Sequence, residues 1–223
     1  MGGAEALRQS LIFSSLGQEE MEALSRLVLE RSFPPDEFIF WEGDAPDYFY
    51  VVASGRVKAV KHSSTGKDFI IAFFGPGEMF GEVAVFENKP YPASTQAVTG
   101  TRVLAIKKDD FLHFLAGHPQ VALTIIHVLG SRLRDAANRL KDLAGERVEQ
   151  RLARILLMLS AKLGKTLPFT RQEIADMAGT TTETTIRLTT QLKERGIIST
   201  VRGKITIVDE LKLRLLAEGP PRV

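Results

Sequence analysis

Residues 170–195 read T-R-Q-E-I-A-D-M-A-G-T-T-T-E-T-T-I-R-L-T-T-Q-L-K-E-R, and the reading of this stretch decides the fold. Thr170 suits a helix N-cap, and Glu173 three residues later completes a capping box. Ile174, Ala175 and Ala178 supply an apolar stripe at helical spacing. Gly179 stands where that helix must stop, since a left-handed backbone costs glycine almost nothing. Thr181 or Thr180 caps a second helix, with Ile186, Leu188 and Leu192 expected on its apolar side and Thr182, Glu183, Thr184 and Arg187 polar. Gly196 ends it. A helix, a glycine turn and a second helix with a polar N-terminal face is the arrangement that lays its second helix in the DNA major groove.

The side chains suit that task. Glu183 and Arg187 are four apart and project from one face. Arginine gives two hydrogen bonds to guanine O6 and N7, and a carboxylate accepts from cytosine N4. Threonine methyls and Ile186 fit a thymine methyl. The bland alternative is an i,i+4 ion pair on a solvated helix, worth a few tenths of a kcal/mol. The capped first helix and the glycine turn favour DNA. Candidate contacts are therefore Thr170, Arg171, Thr181, Thr182, Glu183, Thr184, Ile186 and Arg187. Beyond them, Ile197–Val201 and Ile205–Val208 read as strands around the basic turn Arg202-Gly203-Lys204, a wing whose Arg202 and Lys204 are placed for phosphates. Glu210–Ala217 is a last helix before the tail Gly219-Pro220-Pro221.

Upstream, Glu146–Lys162 is amphipathic through Val148, Leu152, Ile155, Leu156 and Leu159. Before it, Pro119 to about Ala144 is the longest periodic segment. Ala122, Ile126, Leu129, Leu133, Ala136, Leu140 and Leu143 are spaced 4, 3, 4, 3, 4, 3, the seam of a coiled coil over about three heptads. Arg132, Arg134, Asp135, Arg139, Lys141 and Asp142 take the other faces. This pattern predicts a parallel homodimer, testable by sedimentation.

The first half has a different texture. Residues 4–30 look helical, with Met21, Leu24, Leu27 and Val28 on one stripe. Short β-type runs follow: Glu37–Trp41, Tyr48–Ser54, Val57–His62, Phe69–Phe74, Ser94–Val98 and Thr101–Lys107. Turn residues such as Pro34-Pro35, Ser54-Gly55 and Gly75-Pro76-Gly77 separate them, which argues for a β-roll or sandwich. Gly75, Gly77 and Gly81 in G-P-G-E-M-F-G-E match neither the dinucleotide fingerprint nor the Walker loop and read as turns between strands. Asp109–Leu115 starts another helix, which His118-Pro119 breaks.

Composition narrows the classes. With 44% apolar and 25% charged residues, the 223-residue chain is an ordinary globular protein. It has no run of about 18 apolar residues and no signal pattern at its start, so a cytoplasmic location is expected. The absence of cysteine excludes thiolate metal sites, cysteine-ligated iron–sulfur clusters and disulfides. Residues 146–223 carry 14 Lys and Arg against 9 Asp and Glu, whereas residues 1–145 carry 15 against 18. A basic C-terminal part fits phosphate contact. H-E-x-x-H, G-x-S-x-G and Walker motifs are missing, so no enzyme is expected. The competing class is a β-roll small-molecule receptor or regulatory subunit whose C-terminal helices bind protein. The wing and the basic balance favour DNA.

The order of parts resembles the CRP/FNR family of bacterial transcription regulators from about residue 12 to residue 217. Its most specific pieces are Gly77-Glu78-Met79-Phe80-Gly81-Glu82, Thr170-Arg171-Gln172-Glu173-Ile174-Ala175 and Glu183-Thr184-x-x-Arg187. The resemblance implies an α+β chain with a cyclic-nucleotide-binding-like β-roll at 1–118, a dimerisation helix at 119–145 and a winged helix-turn-helix at 146–223. It further implies a homodimer on double-stranded DNA with a palindromic operator, contact with RNA polymerase, and control by a small effector in the roll. Gly81, Glu82, Val83, Pro92, Ala93, Ala136 and Ala137 then mark the effector pocket.

That pocket departs from the cyclic-nucleotide binders. Their Arg-Ser pair that grips the cyclic phosphate aligns with Pro92 and Ala93, and their Thr-Ser on the dimer helix with Ala136-Ala137. An anionic phosphate in an apolar pocket needs donors that these residues lack, so an effector other than cAMP is expected. Thr182 stands where the cAMP branch often has arginine, which looks closer to the TTGA-type readers of the FNR side. Lys89-Pro90-Tyr91-Pro92-Ala93-Ser94 and Thr180–Arg187 look like the branch that responds to nitric oxide or respiratory state, in which some members use haem. Among His62, His113, His118 and His127, His127 is the candidate axial ligand, and the cofactor stays open.

Overall fold

In the computed structural model, which describes residues 3–62, 68–145, 147–201 and 203–218 (backbone alone at 4, 68, 138–145 and 162), the chain divides into two units, Met1–Leu133 and Arg134–Val223. The first unit opens with α1 (Gly3–Arg8), a 3-10 turn at Leu11–Phe13 and α2 (Gln18–Ser25), then turns to strand at β1 (Val28–Phe33). The helical expectation for residues 4–30 therefore holds only in part. Leu27 and Val28 continue the spacing of Met21 and Leu24, but Arg26 closes α2 and Val28 pairs with Ile106. A ladder with a distant strand satisfies every second backbone group of the segment, and local periodicity cannot register that partner.

The remaining elements of this unit are β2 (Phe38–Phe40), β3 (Tyr48–Ser54), β4 (Val57–His62), β5 (Asp68–Phe74), β6 (Met79–Phe80), α3 (Glu82–Glu87), β7 (Ser94–Ala97), β8 (Thr101–Lys107) and α4 (Lys108–Gly117), followed by α5 (Pro119–Gly145), within which the unit boundary falls. The strands form two antiparallel sheets, ordered β1-β8-β3-β6 and β2-β7-β4-β5. Side chains alternate along β3 and β8, so each strand feeds two cores. Phe49, Val51, Leu104 and Ile106 face a helix-covered core with Leu7, Phe13, Leu24, Phe111, Val121 and Ile125. Tyr50, Val52, Val103 and Ala105 face the core between the sheets with Phe40, Val57 and Phe74 of the other sheet and Phe80 of β6. Burial on both faces explains why these two strands read as continuous apolar runs.

The second unit contains α6 (Val148–Leu163), β9 (Thr166–Leu167), α7 (Arg171–Ala178), α8 (Thr182–Glu194), β10 (Ile198–Val201), β11 (Lys204–Ile207) and α9 (Glu210–Glu218). The wing strands pair antiparallel, and β11 continues onto β9. Leu152, Leu156, Leu159, Ile174, Ala175, Ala178, Leu188, Leu192, Ile205, Ile207 and Leu213 are buried. Ile186, which shares a helical period with Leu188 and Leu192 in the sequence, is 46% exposed, and the inward face of α8 is Thr185, Leu188, Thr189 and Leu192. Residues two apart lie on opposite sides of a helix, so Ile186 and Leu188 cannot share a core face.

The expected seam on α5 is only partly free. Val121 and Ile125, which the heptad reading leaves out, are buried in the first core, and Leu129 packs partly against it. Ala122 is half-buried, whereas Ile126, Leu133 and Ala136 are exposed, as is Leu123. The side chains of Leu140 and Leu143 lie outside the described residues. No single described helix is long and apolar enough to cross a membrane.

Candidate nucleic-acid interface and sensor pocket

The helix-turn-helix is held by caps that its sequence supplies. Thr170 Oγ1 accepts from the Glu173 N–H, and the Glu173 carboxylate accepts in return from the Thr170 N–H at 2.8 Å. Gly179, at φ +59°, closes α7, its N–H directed at Ala175 and Asp176 carbonyls. Arg151 of α6 reaches the same end, its Nε donating to the Ala178 carbonyl at 3.1 Å and Nη2 to that of Gly179 at 3.4 Å. A cation there also meets the negative end of the α7 dipole. Thr181 caps α8, accepting from the Thr184 N–H and donating to Thr184 Oγ1.

These contacts leave Glu183, Ile186 and Arg187 projecting from the first turns of α8, all three exposed. Among the described residues neither Glu183 nor Arg187 makes an ion pair. Thr182 is half-buried and donates to Gln172 Oε1 of α7, while Thr184 is half-buried beside the cap. Arg171 is partly buried against the wing, with Nη2 3.5 Å from Thr200 Oγ1. Lys204 is exposed at the start of β11. Arg202 lies outside the described residues. Gln172 and Arg151 are not among the candidates that sequence reasoning finds: Gln172 carries no charge pattern, and Arg151 is one of several arginines on an amphipathic helix.

In the first unit, Glu82 opens α3 and is 4% exposed. Gly81 before it has φ +78°, and a Cβ there would lie 3.2 Å from the Tyr50 ring and 3.3 Å from that of Tyr91. Arg132 of α5 meets Glu82, Nη1 donating to Oε1 at 2.8 Å and Nη2 to the Met79 carbonyl at 2.7 Å, with its guanidinium 5.0 Å from the Phe74 ring centroid. Burial pushes the Glu82 carboxyl above its usual range, and the Arg132 charge opposes that rise. Sequence spacing places Arg132 only on an outer face of the long helix. An isolated arginine there looks the same whether it meets water or a buried acid.

The other expected pocket residues differ in exposure. Val83 is 41% exposed. Pro92 is exposed, and its carbonyl accepts from Lys61 Nζ at 3.0 Å. Ala93 is buried, and Ala136 and Ala137 are exposed along α5. Within Lys89–Ser94 the structural anchor is Tyr91, stacked 3.6 Å from Phe40 and donating to the Tyr48 carbonyl at 2.7 Å. Gly75 and Gly77 form turns as expected. Gly77 has φ +81°, and a Cβ would come within 2.8 Å of the Gln9 carbonyl.

The histidines do not build a haem site. His62, His113 and His127 are exposed, and His118 Nδ1 is 2.7 Å from the Phe114 carbonyl with its ring stacked on Phe114. Haem in the roll needs an inward axial nitrogen; these residues do not fit it. Among the described residues no cluster of three His, Asp or Glu side chains suits a metal ion.

Residues 30–118 match the cyclic nucleotide-binding domain family and residues 150–216 the Crp-like helix-turn-helix domain family. The Cyclic AMP receptor protein of Thermus thermophilus is 32% identical over 96% of this chain and 99% of its own length. The chain belongs to the CRP/FNR family. It is a DNA-binding transcription regulator and not an enzyme, as its relatives are. On the FNR side of the family, Transcriptional activator protein Anr of Pseudomonas protegens is 28% identical over 92% of this chain and 87% of its own. The solved structure of FixK2 from Bradyrhizobium japonicum superposes with a TM-score of 0.75 at 26% identity, covering 84% of this chain and 96% of that one.

Proposed function

We propose that this CRP/FNR regulator binds a palindromic operator as a homodimer joined along α5, with Glu183 and Arg187 of each copy reading a half-site. The observation that carries the reading is the outward exposure of Glu183, Ile186 and Arg187 on the first turns of a doubly capped α8. Arg187 donates to a guanine edge, Glu183 accepts from cytosine N4, and Ile186 and the threonine methyls touch thymine. Thr170, Arg171 and the wing residues Arg202 and Lys204 set the register on phosphates. Pairing along α5 is supported by Leu123, Ile126 and Leu133, which are 59%, 61% and 72% exposed within one chain. RNA polymerase is the partner at the promoter.

Arg187→Ala is expected to cost roughly 1–3 kcal/mol and to relax one base position, whereas Lys204→Ala weakens all sequences about equally. Binding titrations on a panel of single-base variants check this. An equal loss on every sequence for Arg187→Ala would remove its readout role. Over the same panel, log K should fall linearly with log salt.

For the effector we propose a small ligand other than cAMP. Its likeness to a cyclic AMP receptor does not bring that ligand, because Pro92 and Ala93 offer a cyclic phosphate no side-chain donor. Calorimetric titration with cAMP should show no heat of binding, and saturable binding would contradict the reading. Sensing of nitric oxide or redox state through haem draws no support from the histidines, and protein separated from free haem after reconstitution should retain no Soret band. A cytoplasmic site of action fits a regulator of transcription.

A further inference from the structure

The helix-turn-helix contains a polarised chain of hydrogen bonds that bears on which bases it accepts. Gln172 Nε2, on α7, donates to Asp176 Oδ1 at 2.7 Å. A carboxylate only accepts, so the amide nitrogen must face Asp176 and the amide oxygen must face α8. That oxygen receives the hydroxyl of Thr182. A threonine hydroxyl has one proton, so Thr182 has none left to offer DNA. It retains lone pairs and a methyl group. It can accept from a base amino group or touch a thymine methyl, but it cannot donate to guanine O6 or N7, which present only acceptors in the major groove.

We propose that Gln172 is a positioning residue for sequence discrimination: by accepting the Thr182 hydroxyl's one hydrogen bond it makes the base pair facing Thr182 reject guanine. Gln172 needs no contact with DNA to do so. This rests on the reading of α8 as the recognition helix, and it extends that reading from the charged pair Glu183 and Arg187 to a neutral position whose discrimination is set from the other helix. Both Gln172 and Arg187 are exposed and Thr182 is half-buried, so substitutions here spare the core.

The test is selection of sites from random duplex DNA by the full-length protein, comparing wild type, Gln172→Met, Thr182→Val, the double variant and Arg187→Ala. Gln172→Met keeps the side-chain length and removes the acceptor, freeing the hydroxyl. It should gain guanine at one half-site position by roughly fivefold, the lower end of what one mismatched pair costs. Thr182→Val has no proton to give and should still reject guanine at that position. The double variant should match Thr182→Val, because there is no hydroxyl left to free. A merely structural role for Gln172 would not be cancelled by removing that hydroxyl. A Gln172→Met profile equal to wild type, or a guanine gain that survives in the double variant, would overturn the proposal alone if Arg187→Ala still relaxes its own position. An Arg187→Ala profile unchanged at every position would overturn the reading of α8 and this proposal with it.

Discussion

Arg132 and Glu82 show how one side chain alters the chemistry of a buried acid. A buried carboxylate is costly unless a cation and hydrogen bonds meet it, and Arg132 supplies both at 2.8 Å. Breaking such a pair strands a buried charge, so Arg132→Met should destabilise the protein by about 3 kcal/mol near neutral pH. Burial holds the Glu82 pKa above its unfolded value. The folded state therefore binds this proton more tightly, and the group's contribution to stability is present at low pH and lost as pH rises through the folded pKa. Removing the guanidinium takes away the main opposing charge and raises that pKa further. Denaturant titrations at about pH 5 and about pH 8 should thus show a larger deficit for Arg132→Met at the higher pH. A deficit of equal size at both would show that lost packing alone accounts for it. Gly77 is a second such position: with φ +81° and the Gln9 carbonyl 2.8 Å from a would-be Cβ, Gly77→Ala should cost roughly 1–3 kcal/mol.

Among the elements, α7 and α8 are fixed mostly by their ends. The Thr170–Glu173 capping box, the left-handed Gly179 and the Thr181 cap are all local, and each is legible in residues 170–181 by themselves. Thr170→Ala should cost about 1 kcal/mol, read by thermal denaturation, and a variant with unchanged stability would show the box to be incidental. Contributions from distant parts of the chain are not legible in this way. Arg151 reaches the Ala178 and Gly179 carbonyls from another helix, and the pairing of Val28 with Ile106 turns an apparent helix into β1. Ile186 leaves the apolar side of α8 for a different reason: its two-residue spacing from Leu188 places it on the opposite, outward face, among the candidate DNA contacts. On α5 the two demands on one helix are separable. Val121 and Ile125 serve the roll, while Ile126 and Leu133 remain 61% and 72% exposed. Ile126→Asp with Leu133→Asp should leave the monomer folded and shift sedimentation to a single-chain species; a pair of variants that still sediments as wild type would refute pairing through these residues.

For the molecule as a whole, the β-roll and the winged helix-turn-helix belong to one regulator, and each carries a different level of legibility. Strand punctuation and alternation reveal the roll, because both follow from backbone geometry. The proposed effector site is only negatively legible: Pro92 and Ala93 state which ligand chemistry is missing, whereas Arg132, which pairs with the buried Glu82, gives no signal in its own neighbourhood. The DNA surface is the most legible part, since charge, caps and spacing all lie within 26 consecutive residues, 170–195. The central claim is that two copies of the Glu183 and Arg187 surface enter successive major grooves on one side of a duplex. The most direct measurement is the affinity of the full-length protein for palindromes whose half-site centres are moved apart in single base-pair steps. Affinity should peak at about 10 base pairs, one helical turn, and collapse when about 5 are added, since the second half-site then faces the opposite side of the duplex. Affinity that does not change with spacing, or a single half-site bound as tightly as two, would contradict it.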